Sequence, residues 1–428
     1  TTQEWYILGA DSGVSGDNTI IFAASPIATV QKFDSSSTNK TDSNLWSECN
    51  YGGASVTEVF ANHYGASELR AVLKGMTDGS NTSCFTTAEQ GLMNDTTVTT
   101  TDKKNRKTYT TTDKLYALAA DGAGDSYKII KAGSDNRTVL AIRNYCNSGE
   151  GFWMRSPNDS FSYASLYAWP GHKVNYNDVY TYAAVQPASN LKLSSVLFAS
   201  AAMATSSVET YGMITEGQPM ILRLDGTSKD IGTVTYNTTT GNIKAVKGGI
   251  SQSVELVVQG NGGTHDWFYS KTIGTSETIN TSTIKSKVGS DIDLSACKIW
   301  LETTDSTENL TYAVNATEAA TNNITSVAIT DIDTPAANTA LDTSASCTTT
   351  GVSSTTPQIT WTPNDTTAGY NTSYTASITL TADTDYEFTD STTATVLGNS
   401  ATSVTKNADG TLTVTSVSYT HLRAHETR

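Results

Sequence analysis

Residues 152–190 read FWMRSPNDSFSYASLYAWPGHKVNYNDVYTYAAVQPASN. The run opens on two rings, a base and a turn: Phe152, Trp153, Arg155, Ser156 and Pro157. It closes on Val185-Gln186-Pro187-Ala188. Between these flanks, residues 158–182 hold five of the chain's 20 tyrosines, with Phe161 and Trp169 beside them. Ser, Asn, Asp and Gly fill much of the remainder. Rigid amphipathic rings among short polar groups are what binding loops use. Catalysis asks instead for tuned acids, bases or metals. The candidate ligand-binding residues are therefore Asn158, Asp159, Tyr163, Tyr167, Trp169, His172, Asn175, Tyr176, Asn177, Asp178, Tyr180 and Tyr182. Alternation predicts that Tyr176, Tyr180 and Tyr182 share one strand face. His172 follows Pro170-Gly171, which puts it on a turn. In the flank, Trp153 and Arg155 are read as frame: a core ring, and a buried guanidinium bonding loop carbonyls.

Outward from this block, residues 1–202 mix two periods. Trp5–Leu8 and Thr19–Ala23 read as short strands separated by a turn. Ser67 caps a helix through Leu69, Val72 and Leu73. Thr86 and Glu89 form a capping-box pattern before Leu92 and Met93. Leu115–Leu118 reads as another strand, and the polar stretches 34–44 and 95–113 read as loops. The expectation is an α+β domain.

Residues 203–322 alternate with period two at Ile221/Arg223, Val234/Tyr236, Leu256/Val258, Trp267/Tyr269, Ile299/Leu301 and Leu310/Tyr312. Short strands between Gly, Asn, Ser and Thr turns predict a β-sandwich without helices. Residues 323–416 repeat the style at Ile359/Trp361, Tyr374/Ala376/Ile378/Leu380 and Leu412/Val414, with Asn407–Gly410 as a hairpin turn. They predict one immunoglobulin-like sandwich. This last region sets nine acids against one base, Lys406, and so holds −8 of the chain's net −15. It reads as a spacer that resists aggregation. The Asp331/Asp333 and Asp383/Asp385 pairs are too sparse to define a calcium site.

The whole chain has 428 residues, only 16% of them charged, with a wealth of Thr, Ser, Asn and Gly. That composition fits secreted or surface β-proteins. Its acidity argues against nucleic acid, because phosphate neutralisation needs clustered Lys and Arg. No run approaches the ~18 apolar residues of a membrane-spanning helix. The chain opens without an initiator Met or signal-peptide pattern, so it is expected to begin within a longer protein. Cys49, Cys84, Cys146, Cys297 and Cys347 are odd in number and form no CxxC. Buried free thiols are expected, with Cys49–Cys84 or Cys84–Cys146 bridges as alternatives.

No nucleophile elbow, phosphate loop, dinucleotide fingerprint or HExxH motif occurs before residue 417. Val417–Thr427 reads VSYTHLRAHET, which resembles the translation of a transposon adapter used to prepare sequencing libraries. Residues 417–428 are thus expected to be an adapter-derived tail on a metagenomic fragment, and His421 and His425 are set aside. His63, His172 and His265 remain. No metal and no cofactor is predicted.

The first ~200 residues resemble an uncharacterised domain family of surface and secreted proteins of gut bacteria. The likeness rests on Trp5–Gly9, on Leu69-Arg70-Ala71-Val72-Leu73, on Phe85–Glu89 and on Thr111–Leu118. Its hallmark is the order Trp153–Pro157, Gly171–Val174, Val185–Ala188. That family resembles the C-type-lectin-like fold, shared with formylglycine-generating enzymes and bacterial adhesin domains. Gln186 stands where such sequences usually have Arg, and no Trp-Asn-Asp strand follows it, so calcium-dependent sugar binding is not implied. The later regions are similar to bacterial immunoglobulin-like modules. The resemblance implies a C-type-lectin-like domain over 1–202, a β-sandwich over 203–322 and a truncated immunoglobulin-like domain over 323–416. Together they imply a non-catalytic adhesion protein, secreted or on the bacterial cell surface, whose partner is a glycan or a surface protein. A formylglycine-enzyme-like catalyst, with Cys146 as its thiol, and a pure scaffold are the alternatives.

Overall fold

The computed structural model describes residues 3–9, 18–120, 129–130, 151–160, 162–168, 173–204, 209–383 and 385–419. The protein is mostly β-sheet, 48% strand against 10% helix. It divides into two compact units.

The first unit comprises Thr1–Ala201, Gly217–Ser228 and Thr303–Ala313. Its first sheet runs in the order Trp5–Gly9, Asn18–Ala23, Ala188–Lys192, Leu115–Tyr116. Its second runs Lys173–Asp178, Tyr163–Ala168, Phe152–Pro157, Tyr182–Val185, Ala28–Lys32. Phe22, Phe33, Tyr64, Leu69, Leu73, Tyr116, Phe152, Trp153 and Val185 belong to one buried core. The helix Glu68–Met76 starts where expected: the Ser67 side chain accepts from the Arg70 N–H. Thr86 and Glu89 close the predicted capping box.

The stretch 95–113 is not a loop. Thr96–Asp102 and Lys107–Asp113 pair antiparallel from Thr96↔Asp113 to Asp102↔Lys107. Threonine is polar but β-branched, and it favours a half-buried pleated surface. Thr96, Val98, Thr100 and Asp102 point inward while Thr97, Thr99 and Thr101 point to solvent. Of the predicted Leu115–Leu118 strand only Leu115–Tyr116 forms, and a separate short strand, Ala119–Ala120, follows it.

The second unit comprises Ala202–Glu216, Lys229–Glu302 and Val314–Arg428. Here Glu209–Ile214 pairs with Asp266–Thr272, which pairs with Glu255–Asn261. A second sheet is ordered Ser276–Asn280, Asn242–Lys247, Gly232–Asn237, Thr317–Glu318. The helix Thr281–Val288 departs from the all-strand expectation. Asn280 caps its start and Gly289, at φ 74°, ends it in the left-handed region. Two further sheets face each other around Ile324, Val327, Phe388, Trp361, Tyr374, Ile378 and Val414. They make an all-β sandwich, the fold class expected here. Its last strand, Leu412–Tyr419, takes in the first three residues of the adapter-like stretch, with Val417 opposite Thr375. Among the described residues no helix is long and apolar enough to cross a membrane.

Candidate functional site

The flanks of the aromatic block form the frame expected of them. Phe152 tilts against Phe22 at 5.5 Å between ring centroids, and Trp153 meets Phe33 edge-on at 5.6 Å. The Trp153 Nε1–H donates to the Gln31 carbonyl at 2.9 Å. Arg155 is buried, and its Nη1 donates to the Ala117 carbonyl at 2.7 Å. Burial pulls its proton affinity down, yet a guanidinium stays charged in proteins. Gln186 is buried and donates to the Ala23 carbonyl at 2.7 Å.

Between these flanks the chain makes a hairpin. Tyr163 stands opposite Asp178, Ser165 opposite Tyr176, Leu166 opposite Asn175 and Tyr167 opposite Val174. The chain then turns through Val179, Tyr180 and Thr181 into the next strand at Tyr182. Val179 is fully buried and pins this turn from both sides. Its N–H donates to the Ser162 carbonyl at 2.9 Å, and its own carbonyl accepts from the Asp34 N–H at 2.9 Å. The flanking rings are thereby left outside: Tyr163 is 38% exposed, Tyr180 46% and Tyr182 63%.

Two of these rings, Tyr180 and Tyr182, have a polar neighbour. The Tyr180 hydroxyl donates to Asp178 Oδ2 at 2.9 Å, and that bond raises the phenol's proton affinity. Lys32 Nζ lies 4.9 Å from the centre of the Tyr182 ring. Asp159 extends into solvent and pairs with Lys103 at 2.8 Å, which lowers its proton affinity. Asn175 is exposed and Tyr176 half-buried.

The structure also corrects the sequence reading. Tyr176, Tyr180 and Tyr182 do not share a strand face, because the turn at Val179 separates Tyr176 from Tyr182 and holds Tyr180. Two of the predicted contact amides also brace turns. Asn158 Oδ1 accepts from the Ser160 N–H at 2.8 Å, and Asn177 Oδ1 accepts from the Asp178 N–H at 2.9 Å. Tyr167 is placed by its backbone alone. Trp169, His172 and Cys146 lie outside the described residues. Sequence reasoning missed Lys32 and Lys103, since neither stands near the block in the chain.

A second polar cluster lies beneath the hairpin Thr96–Asp113. Tyr51 Oη is 2.6 Å from His63 Nε2 and donates to Asp102 Oδ2 at 2.8 Å. His63 Nδ1 accepts from the Ala66 N–H, so the ring proton sits on Nε2 and points at the Tyr51 oxygen. The chain of donors thus runs His63 to Tyr51 to Asp102. Burial depresses His63 to about 4, with the Asp102 carboxylate opposing the shift. His63 is 2% exposed and stacks on Tyr109 at 4.2 Å. His63 and Asp102 are buried and Tyr51 between them is half-buried.

Of the thiols, Cys49 lies closest in the chain to this cluster. Burial pushes Cys49 up to about 12, far from a thiolate at neutral pH. Cys84 is exposed rather than buried, and Cys49, Cys84, Cys297 and Cys347 are all unbridged. Among the described residues no group of three metal-ligating side chains converges.

No family model and no curated protein matches the chain. Among solved structures it is similar to one described as "Structural insight into host cell surface retention of a 1.5-MDa bacterial ice-binding adhesin", at 12% identity and TM-score 0.14, over 51% of this chain and 66% of that one. It is also similar to the N-terminal four Ig domains of Dscam1 isoform 4.4, at 6% identity and TM-score 0.13, over 76% of this chain and 73% of that one. Likenesses this loose bear on neither fold detail nor function.

Proposed function

We propose that this protein is a non-catalytic binding protein of the adhesion type, secreted or held at a bacterial surface. In this reading residues 1–202 are a lectin-like head and the β-sandwiches that follow are its stalk. One observation supports it above the rest: a turn locked by buried Val179 displays Tyr180 and Tyr182, with Tyr163 on the adjoining strand, and gives them Asp178 and Lys32 as polar partners. Tyrosine rings add large contact area at low conformational cost, and their faces stack on sugar rings or on a protein partner. Asp178 and Asn175 supply direction to sugar hydroxyls or peptide groups.

The test is a Tyr180→Ala/Tyr182→Ala double variant, assayed on a glycan array and on intact bacterial and host cells. Binding should fall at least tenfold, about 1.4 kcal/mol, with the melting temperature unchanged. Binding equal to that of the parent protein on every surface would overturn the proposal.

A further inference from the structure

We infer that Asn62 is the positioning residue of the tyrosine site, an inference that rests on the binding role proposed above. Asn62 is 1% exposed. Its Nδ2 lies 3.0 Å from the Asn158 carbonyl, 2.8 Å from that of Ser160 and 2.8 Å from that of Tyr163. All three are main-chain acceptors, so the amide must present its nitrogen to them and not its oxygen. Two protons serve three carbonyls, so at least one bond is shared. One buried side chain therefore gathers three carbonyls of this loop, those of Asn158, Ser160 and Tyr163.

The loop leads straight into the site. Tyr163 is its last residue and pairs with Asp178, the acceptor for Tyr180. The Ser162 carbonyl holds the N–H of Val179, which pins the turn. Asn62 is itself immobilised. It lies between buried Ala61 and His63, and the His63–Tyr51–Asp102 chain ties that segment to the hairpin. Asn105 closes the tie by donating to Asp102 at 2.7 Å and to the Glu58 carbonyl at 2.9 Å. The loop's shape is thus set by the core before any ligand arrives, and this preorganisation lowers the entropy cost of binding.

Hydrogen exchange separates this inference from the binding proposal. In Asn62→Asp the side chain keeps its size but sets an acceptor against three carbonyl oxygens. Exchange at the Asn158, Ser160 and Tyr163 amides should then quicken at least tenfold, while the strand Asn18–Ala23 keeps its protection. In Asn62→Ala the same amides should quicken. Lys103→Ala, which breaks only the exposed pair to Asp159, should leave them unchanged. Any glycan bound by the parent protein on the array should bind at least fivefold more weakly to both Asn62 variants. If the variants do not fold, the unaltered protein still decides the matter: the Asn62 side-chain NH2 protons should exchange at least a hundredfold more slowly than those of exposed Asn175. Equal side-chain rates, or unchanged loop exchange in Asn62→Asp, would overturn the role of Asn62. A parent protein that binds no glycan or cell, with the exchange pattern as expected, would overturn the binding proposal alone.

Discussion

The head and the last sandwich both expose uncharged sheet surface, and they dress it differently. On the sandwich, Thr360 stands opposite Ser377 and Thr362 opposite Thr375, while Thr379 pairs with Thr413 and Thr415 with both Ser377 and Ser403. The result is rows made mostly of short hydroxyls, broken by Val417 opposite Thr375. They bond one another, as Ser403 and Thr415 do at 2.6 Å. On the head, Tyr163, Tyr180 and Tyr182 stand clear of the surface with a carboxylate and an ammonium beside them. A hydroxyl row satisfies itself and offers little area, whereas an exposed ring still has a face to cover. Exposure alone therefore does not mark a site; unsatisfied apolar area with directional partners does.

The comparison is broken most severely at the frame that holds the rings. Trp153→Ala should cost about 3–5 kcal/mol through lost burial and a cavity, and calorimetry should show the head melting earlier while the 323–416 sandwich keeps its own transition. A head that melts as before would mean the block is not anchored through Trp153. Acid comes next. His63 sits at about 4 in the folded head, below its ordinary 6.5, so the fold resists its protonation. Its stabilising contribution is complete above pH 6.5 and is lost as pH falls towards 4, by roughly 2–3 kcal/mol. Residues 323–416 contain no histidine, and their melting should not show this step. His63→Gln should flatten the head's profile in the same window; an unchanged profile would assign the acid step elsewhere.

Two smaller effects sharpen the contrast between ring and hydroxyl. Lys32→Ala removes the cation over Tyr182, a contact of about 0.5–1 kcal/mol, and should weaken ligand binding two- to fivefold without moving the melting temperature. Thr375→Ala with Thr379→Ala on the sandwich should change stability by less than about 1 kcal/mol and binding not at all. A binding loss there would show that the hydroxyl rows are themselves a contact surface.

Much of the frame was legible in the chain. Ser67 and Thr86 are caps because their side chains reach only three residues ahead. Trp153 and Arg155 read as frame because a ring and a base beside Ser-Pro leave few other roles. The hairpin 96–113 was misread because threonine's polarity masks its β-branched preference. The helix Thr281–Val288 was missed although Asn280 and Gly289 bracket it, since alternation in its neighbours dominated the reading. Asn62 left no trace at all: its partners lie 96 to 101 residues away.

What the amino-acid order determined by itself is what acts within a few residues: caps, turns, strand alternation, and the concentration of tyrosines between residues 158 and 182. Which of those rings face solvent was decided only in the tertiary structure. There, Val179 is drawn into the core between Ser162 and Asp34, and Asn62 gathers the loop before it. Burying one aliphatic side chain and satisfying buried carbonyls are demands of three-dimensional packing, and no local pattern records them.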